Sequence, residues 1–174
     1  MMKIKPNRTP YEFFETKGWG SSPLEAHAGA MHHALHMATI SDYNILTYSS
    51  VIPKDAVLIK KEDWKGQPFG SELYCIAAIC NGEESEILAA GVSYGWLYDK
   101  NNEKIGGLAV EVSGCYPEDE LIYRLETVLR DLHEKTYNQY ELRDLRYITA
   151  RHIPQERYGC VISALCFVSF KSEE

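Results

Sequence analysis

Apolar residues recur at helical spacing in two stretches of the chain. The first follows a Gly- and Ser-rich segment, G-W-G-S-S-P at residues 18–23, and covers residues 24–37. Its apolar stripe repeats at intervals of four and three residues, through Leu24, Ala28, Met31, Leu35 and Ala38. A capping box is predicted at its start, with Ser22 as N-cap, Pro23 as first helical residue and Glu25 as the acid at N3. We therefore expect an amphipathic helix that packs on a sheet.

The second helical stretch opens at Pro117 and continues to residue 140. Three acidic residues in its first turn, Glu118, Asp119 and Glu120, complement the positive end of a helix dipole. Its apolar face consists of Leu121, Ile122, Leu125, Val128, Leu129 and Leu132. This pattern predicts a longer amphipathic helix.

The remaining apolar residues follow strand-like patterns. Runs rich in β-branched and aromatic residues predict strands at 43–51, 56–60, 72–80, 86–98, 107–114, 142–153 and 158–170. The charged, Asn-rich stretch that begins at Asp99 predicts a turn. Because the two helices do not alternate with the many strands, we expect an α+β fold. The economical arrangement is a four-layer αββα sandwich of mainly antiparallel sheets, with the two main helices on the outer faces.

Length, composition and charge narrow the class of protein. A chain of 174 residues, 45% of them hydrophobic, fits a single domain over residues 1–174. Its 18 Lys and Arg against 25 Asp and Glu give a net charge of −7 without a basic stripe, which argues against a nucleic-acid partner. No export signal and no apolar run of about 18 residues is present. We expect a cytoplasmic protein without a membrane partner.

Five cysteines are present, and none of them forms a C-x-x-C pair: Cys75, Cys80, Cys115, Cys160 and Cys166. Cys75 and Cys80 are five residues apart in a predicted strand, so their side chains should point to opposite faces. Reduced thiols buried in the core are the expected state of all five.

Four histidines cluster in the first helical stretch: His27, His32, His33 and His36. His32 and His36 are four residues apart on one helix face, which is the spacing found in zinc proteases. The glutamate of the H-E-x-x-H motif is missing, however, and no third ligand stands nearby in the sequence. A polar flank of the helix is therefore favoured and no metal is expected, with a metal-dependent enzyme as the last alternative.

Glu111 lies within a predicted strand, G-L-A-V-E-V-S-G at residues 107–114. Leu108, Val110 and Val112 alternate toward one face, so Glu111 takes the other. If that face meets solvent, Glu111 is an ordinary surface carboxylate. If the face is covered, desolvation raises the pKa of the carboxyl, and Glu111 could serve as a general acid near neutral pH.

Two adjacent serines, Ser49 and Ser50, stand ahead of Pro53 in the run N-I-L-T-Y-S-S-V-I-P-K, residues 44–54. Taken alone they predict a turn, and no Gly-x-Ser-x-Gly elbow indicates a hydrolase. The run resembles the processing segment of pyruvoyl-dependent arginine decarboxylases, in which an Asn precedes a Ser/Thr-Ser pair at this spacing and V/I-x-P follows. Three further segments resemble the same family in the same order: P-L-E-A at 23–26, G-G-L-A-V-E-V at 106–112 and G-C-V-I-S-A-L-C-F-V-S-F at 159–170.

The resemblance implies a precursor that cleaves itself. The Ser50 hydroxyl would attack the Ser49 carbonyl, and elimination from the resulting ester would release Ser49 as a new carboxyl terminus. Ser50 would become a covalent pyruvoyl group, leaving a β chain of residues 1–49 and an α chain of residues 50–174. This group would replace pyridoxal phosphate as the electron acceptor, so neither that cofactor nor a metal is expected.

By the same resemblance, Glu111 is the catalytic proton donor and Asn44 a further catalytic residue. Asn44 precedes Ser50 by six residues, which is roughly 20 Å along a regular strand. The two residues therefore cannot serve one atom within one straight strand. Either the chain bends at Tyr48–Ser49, or Asn44 acts on the junction of a neighbouring subunit. Because the family is trimeric with sites between subunits, the second alternative is preferred, in a trimer or a dimer of trimers.

The implied reaction converts L-arginine to agmatine and CO₂. Substrate contacts are expected from Ser49, His32, Leu35 and Asp42. Family members commonly carry an acidic residue where this chain has His32, so the guanidinium needs another acid, either Asp42 or an acid of a second subunit. Decarboxylation of a different amino acid stays open, as does an unprocessed, non-catalytic paralogue that acts as a trimeric binding or regulatory protein.

Overall fold

Strands are the main element of the structure, a computed structural model that describes residues 8–172. In chain order they are β1 (Arg8–Pro10), β2 (Glu12–Ser22), β3 (Asn44–Thr47), β4 (Val51–Pro53), β5 (Val57–Leu58), β6 (Glu72–Glu83), β7 (Leu88–Tyr98), β8 (Lys104–Gly114), β9 (Glu141–His152), β10 (Tyr158–Phe167) and β11 (Phe170–Ser172). Two predicted strands are interrupted, because residues 48–50 separate β3 from β4 and residues 168–169 separate β10 from β11. The predicted turn at Asp99 ends sooner than its composition indicated, since β8 already begins at Lys104.

These strands form three sheets. A five-stranded sheet has the order β3-β6-β10-β2-β5, a four-stranded sheet has the order β4-β8-β7-β9, and β1 pairs with β11. Neighbours are antiparallel except in the pairs β2–β5 and β3–β6, which are parallel. The prediction of a mixed chain with mainly antiparallel sheets is confirmed.

Two helical segments accompany the sheets. A π-helical turn at Ala26–Met31 runs directly into α1 (His32–Met37), and α2 covers Glu118–Thr136. A 3₁₀ turn occupies Lys61–Asp63. The second helix therefore ends four residues before its predicted boundary at 140, because Tyr137 leaves the helical conformation.

The predicted capping box of the first helical segment is wrong. Glu25 is the N-cap, and its carboxylate accepts hydrogen bonds from the amides of Ala26 and His27 at 3.1 and 3.4 Å. Ser22 belongs to β2 instead, where its hydroxyl accepts from the amide of Leu24. Leu24 is 84% exposed, because it precedes the part of the segment that reaches the sheet.

The apolar stripe that packs on the sheet consists of Ala30, Ala34 and Ala38, which are fully buried. Gly18 and Gly20 of β2 lie directly beneath it. A Cβ on Gly18 would stand 2.1 Å from the carbonyl oxygen of Ala34, so only a residue without a side chain lets the backbones approach this closely. These glycines explain why β2 was not predicted, since glycine disfavours a strand on propensity alone.

Three buried clusters hold the structure together. The inter-sheet core joins residues of the five- and four-stranded sheets, among them Phe13, Ile76, Val92, Ala109 and Leu165. The α1-side core packs the first helical segment on the five-stranded sheet, and the α2-side core packs α2 on the four-stranded sheet. The two large sheets thus share one core, and each helical segment has a core of its own.

The cysteines largely follow the prediction. Cys75 lies in the α1-side core and Cys80 in the inter-sheet core, so the two point to opposite faces of β6. Four of the five thiols are buried and free, but Cys115 is exposed, because it follows β8 in the loop before α2. None of the helices between residues 8 and 172 combines the length and hydropathy needed to cross a bilayer.

Candidate functional site

The Ser49–Ser50 junction lies where the chain crosses from one large sheet to the other. β3 belongs to the five-stranded sheet and β4 to the four-stranded sheet, and residues 48–50 connect them outside either sheet. Ser49 is exposed and Ser50 is partly exposed. The peptide bond between them is therefore not protected by strand pairing.

Both sides of this crossover are fixed by backbone hydrogen bonds. The amide of Tyr48 donates to the carbonyl of Cys75 on β6 at 2.8 Å, and the carbonyl of Ser50 accepts from the amide of Ala109 on β8 at 2.9 Å. The residue before the serine pair is thus hydrogen-bonded to the five-stranded sheet, and Ser50 is hydrogen-bonded to the four-stranded sheet. The conformation of the two serines is set by partners far away in sequence.

The ring of Tyr48 adds a second anchor. It stacks on Tyr74 with ring centroids 5.0 Å apart and meets Phe167 at 5.5 Å. Burial, and secondarily the neighbouring Tyr74, raise the pKa of the Tyr48 phenol, so it stays neutral at physiological pH. The residue before the serine pair is therefore fixed by packing rather than by charge.

A cavity of about 330 Å³ opens beside the junction. It is lined by Arg8, Pro10, Tyr48, Ser49, Val51, Ile52 and Pro53. Arg8 brings a positive charge into this lining, with its guanidinium 4.2 Å from the centroid of the Phe170 ring. Such a lining suits an anionic group near Ser49.

Glu111 lies on the side of β8 that faces the five-stranded sheet. Ala109, two residues earlier on the strand, is in the inter-sheet core, whereas Val110 is in the α2-side core. At Ala109 this face is covered by the five-stranded sheet, but Glu111, two residues further along the same face, is exposed to solvent.

The pKa of the Glu111 carboxyl is raised even though the residue is exposed to solvent. Desolvation raises the pKa of its carboxyl, and a hydrogen bond with the residue's own backbone offsets part of this rise. Strand β4 pairs with β8 only at Gly106, Gly107 and Leu108. Within residues 8–172 no strand covers that edge of β8 beyond Leu108, so Glu111 stands on an edge open to a further partner.

Asn44 stands at the opposite end of β3 from the serine pair. Its side-chain amide donates to the carbonyl of Gly70 at 2.7 Å, and the amide of Gly70 donates to the carbonyl of Asp42 at 2.8 Å. Asp42 and Asn44 are therefore brought together around Gly70. The Asp42 carboxylate also accepts a hydrogen bond from the Ser41 hydroxyl at 3.3 Å.

Glu72 is a further acid at this end that sequence reasoning missed. It pairs directly with Asn44 in the parallel register of β3 and β6, so both side chains lie on one face of the sheet. The hydroxyl of Tyr74 donates to the Glu72 carboxylate at 2.7 Å and fixes its position. No local signal could have revealed this pairing, because β3 and β6 are separated by two turns and β4 and β5.

The remaining predicted contacts are on α1. Leu35 packs against the α1-side core, and its carbonyl accepts from the amide of Ile40 at 3.0 Å, close to Asp42 in the chain. His32 is exposed on the same helix. The predicted site residues therefore fall into two groups: Ser49, Ser50 and Glu111 lie along the β4–β8 edge, and Asp42 and Asn44 meet at Gly70. His32 and Leu35 lie on α1. Between residues 8 and 172 no hydrogen bond joins the side chains of these two groups.

The histidine cluster does not assemble a metal site in the described part of the chain, where no three His, Cys, Asp or Glu side chains converge. One ring nitrogen of His33 is instead 2.8 Å from the carbonyl oxygen of Ser21. The side chains of His27, His32, His33 and His36 are exposed.

Comparison with known proteins identifies the family. The sequence model of the pyruvoyl-dependent arginine decarboxylases matches residues 12–172. A pyruvoyl-dependent arginine decarboxylase AaxB of Chlamydia pneumoniae is 31% identical over 193 aligned positions, covering 96% of this chain and 95% of that protein. The proteins of the same name from Chlamydia muridarum and Chlamydia caviae are 27% and 28% identical, with 96% of this chain and 95% of each relative covered.

The matched region contains the crossover serines, the edge strand with Glu111 and the Asn44 end of β3. Membership implies that a covalent pyruvoyl group is the cofactor. The resemblance noted for residues 44–54 and 106–112 thus extends over most of the chain. On this evidence the chain belongs to the pyruvoyl-dependent arginine decarboxylase family.

Proposed function

We propose that this protein is a pyruvoyl-dependent amino-acid decarboxylase that cleaves itself between Ser49 and Ser50 and acts on L-arginine. The observation that carries the proposal is the position of the serine pair on the crossover between the two large sheets. A bond at that position can be broken without removing a single strand-to-strand hydrogen bond. Both new chain ends then stay attached, one through β3 and the other through β4.

Cleavage uses the chain's own atoms. The Ser50 oxygen bonds to the Ser49 carbonyl carbon, the carbon–nitrogen bond breaks, and the hydroxyl proton ends on the Ser50 nitrogen. Loss of the Ser50 α-proton then expels the ester oxygen, which leaves a Ser49 carboxylate and dehydroalanine at position 50. Water hydrolyses the imine tautomer of dehydroalanine and releases ammonia. A single domain over 1–174 would thus become a β chain of residues 1–49 and an α chain of residues 50–174.

The Ser49 carboxylate would be created beside the cavity that Arg8 lines, which supplies a cation for the new anion. The pyruvoyl group, once formed, supplies the carbonyl that accepts electrons when CO₂ leaves the substrate. Glu111 would hold the proton that the substrate carbon then takes up. Its raised pKa favours the protonated form that this role needs.

The two groups of site residues indicate a site built by two subunits. Ser49, Ser50 and Glu111 lie beside the open edge of β8, whereas Asp42 and Asn44 lie at the far end of β3. We propose that the Asn44 end of one subunit approaches the junction of the next around a threefold axis, in a homotrimer or a dimer of trimers. A closed ring of this kind would also cover the exposed edge of β8. Within each subunit we propose a four-layer αββα order of helix, sheet, sheet and helix.

Arginine is the proposed substrate because acidic groups surround Asn44. Asp42 shares the Gly70 turn with Asn44, and Glu72 is its direct neighbour on β6. Either carboxylate could pair with a guanidinium, which requires the planar, bidentate geometry that carboxylates provide. These two acids would replace the one that is absent at His32.

Release of CO₂ from arginine, ornithine, lysine and histidine by the purified protein tests this proposal. Arginine should be the preferred substrate, and the Ser50→Ala variant should be inactive on all four. Glu72→Gln and Asp42→Asn should raise the KM for arginine more than they lower kcat, because they remove a binding contact and leave the reacting groups unchanged. Glu156→Gln, an exposed residue in the loop after β9, is the matched control and should behave as the unmodified protein. Preference for a different amino acid would contradict the arginine assignment, and release from none would contradict the activity itself.

A further inference from the structure

We infer that the backbone amide of Val51 is a hydrogen-bond donor to the carbonyl that is attacked during self-cleavage. This inference rests on the proposed function and names a group that the site residues discussed above do not include. The amide nitrogen of Val51 lies 3.0 Å from the carbonyl oxygen of Ser49. That oxygen belongs to the peptide bond between Ser49 and Ser50, so the donor acts on the bond that breaks.

The hydrogen bond closes a three-residue turn centred on Ser50. A bond from residue i+2 back to residue i defines a γ-turn, and Ser50 is not among the described residues with a positive φ. The turn is therefore the inverse form, which L-residues adopt without the strain of the left-handed region. Ser50 is held at the centre of this compact ring, directly after the Ser49 carbonyl.

The neighbouring contacts leave the Val51 amide free for this task. Val51 pairs with Leu108 in the register of β4 and β8, but the adjoining ladder bond is made by the Ser50 carbonyl, which accepts from Ala109. The Val51 N–H points instead across the turn to Ser49. The hydrogen bond to Ala109 holds the Ser50 carbonyl, and the stacked ring of Tyr48 holds the residue on the other side. The donor is therefore fixed before reaction.

Such a donor should matter most when charge develops. As the Ser50 oxygen bonds to the Ser49 carbon, the carbonyl π electrons move onto the Ser49 oxygen. The N–H of Val51 then faces a negative oxygen rather than a neutral carbonyl, and a charge-assisted hydrogen bond is roughly twice as strong as a neutral one. When the carbon–nitrogen bond breaks, the electrons return and the ester carbonyl is formed. The amide is thus a preorganised donor of the oxyanion type, supplied by the same chain.

A single-atom replacement tests the inference on the full-length protein. Incorporation of the α-hydroxy analogue of valine at position 51 during cell-free synthesis replaces the Val51 N–H with an ester oxygen and keeps the side chain. We expect cleavage to slow by about 100-fold, the loss usually seen when one oxyanion donor is removed. Val51→Ala, which keeps the N–H, should cleave within a few-fold of the unmodified rate.

The same analogue at Val57 is the matched control. The Val57 amide donates to the Tyr11 carbonyl at 2.7 Å, so that ester also removes one backbone hydrogen bond from a valine, but away from the junction. It should cleave at the unmodified rate. If both esters slow cleavage equally, or if the Val51 ester does not slow it, the inference is overturned while the proposed function stands. If the unmodified chain is not cleaved at all, both are overturned.

A measurement on an uncleavable precursor keeps the test independent of folding defects in the ester variant. In Ser50→Ala protein labelled with ¹³C at the Ser49 carbonyl, a hydrogen-bonded carbonyl resonance is expected. The Val51 ester should move that resonance upfield, and the Val57 ester should not. An unchanged Ser49 resonance in the Val51 ester would show that this hydrogen bond is absent and would overturn the inference.

Discussion

The carboxyl of Glu111 lies two residues along β8 from the amide that holds the Ser50 carbonyl. Two residues of strand correspond to about 7 Å, which separates the Glu111 backbone from that amide along β8. Desolvation raises the pKa of the Glu111 carboxyl above the ordinary value of 4.5. The protonated acid thus persists to a higher pH than a solvated glutamate would allow.

Replacement of Glu111 should separate decarboxylation from processing. Glu111→Gln should still cleave at the serine pair but should decarboxylate at least about 100-fold more slowly, because a general acid typically contributes that much. The measurements are the rate of CO₂ release and the chain composition of the same preparation. In the unmodified enzyme, kcat should fall as pH rises through the raised pKa of Glu111, and Glu111→Gln should lose this limb of the profile.

Stability provides the control for that prediction. The folded-state pKa of Glu111 lies above its unfolded value, so the ionised carboxylate opposes folding at pH values above the raised pKa. Glu111→Gln should therefore have a melting temperature no lower than that of the unmodified protein at pH 8. A variant that decarboxylates at the unmodified rate would contradict the proton-donor assignment.

At this scale the sequence was informative where a residue belongs to a local motif. Ser49, Ser50 and Glu111 could be selected because the residues on either side of them match a family pattern. Glu72 could not, because its relation to Asn44 exists only once β3 and β6 pair in parallel. The exposed position of Cys115 was missed for a similar reason, since it depends on where β8 ends.

Among the elements, the contact between the first helical segment and β2 is the closest. The fully buried Ala34 lies over Gly18 and Gly20, and there is no room for a larger side chain on either surface. This contact also explains two of the errors in element prediction, the missed strand β2 and the misplaced apolar stripe of the first helical segment. The glycines of β2 lower its strand propensity, so the strand was not predicted. The buried stripe of the helix consists of alanines, which are too weakly hydrophobic to mark the buried face in the sequence.

The tight contact predicts a strong dependence on side-chain size at one helical position. Ala34→Leu should lower the free energy of unfolding by about 1–3 kcal/mol or more, the usual cost of overpacking a core. Ala28→Leu, the same change at an exposed position of the same segment, should stay within about 0.5 kcal/mol. Urea denaturation of both variants measures the difference. Equal stabilities would show that the helix does not pack on β2 as described.

For the whole molecule, the arrangement of two separate groups of site residues is the feature with most consequences. The proposed self-cleavage and the proposed catalysis both use the Ser49–Ser50 junction, yet Asn44 is held at Gly70 at the other end of β3. The sequence could place each group on its element but could not show which subunit supplies which group. Which subunit supplies each group depends on the contacts between chains.

Mixed oligomers test whether the site is shared. Asn44→Ala and Glu111→Gln should each be nearly inactive alone. When the two variants are co-expressed in equal amounts, they should assemble at random into cyclic trimers. About a quarter of the shared sites then contain both an intact Asn44 and an intact Glu111. The mixture should therefore regain about a quarter of the unmodified activity. Co-expression of Glu111→Gln with Ser50→Ala is the control, because these residues belong to one group and should not complement. A mixture as inactive as its components would place the whole site within one subunit.

Intact mass spectrometry of the purified protein shows whether the chain breaks between Ser49 and Ser50. We expect two chains, residues 1–49 and residues 50–174, with the larger chain lighter than its serine form by the mass of ammonia. A Ser50→Ala preparation should give one uncleaved chain. A single full-length chain of 19.8 kDa from the unmodified protein would contradict self-cleavage and would favour an unprocessed, non-catalytic relative.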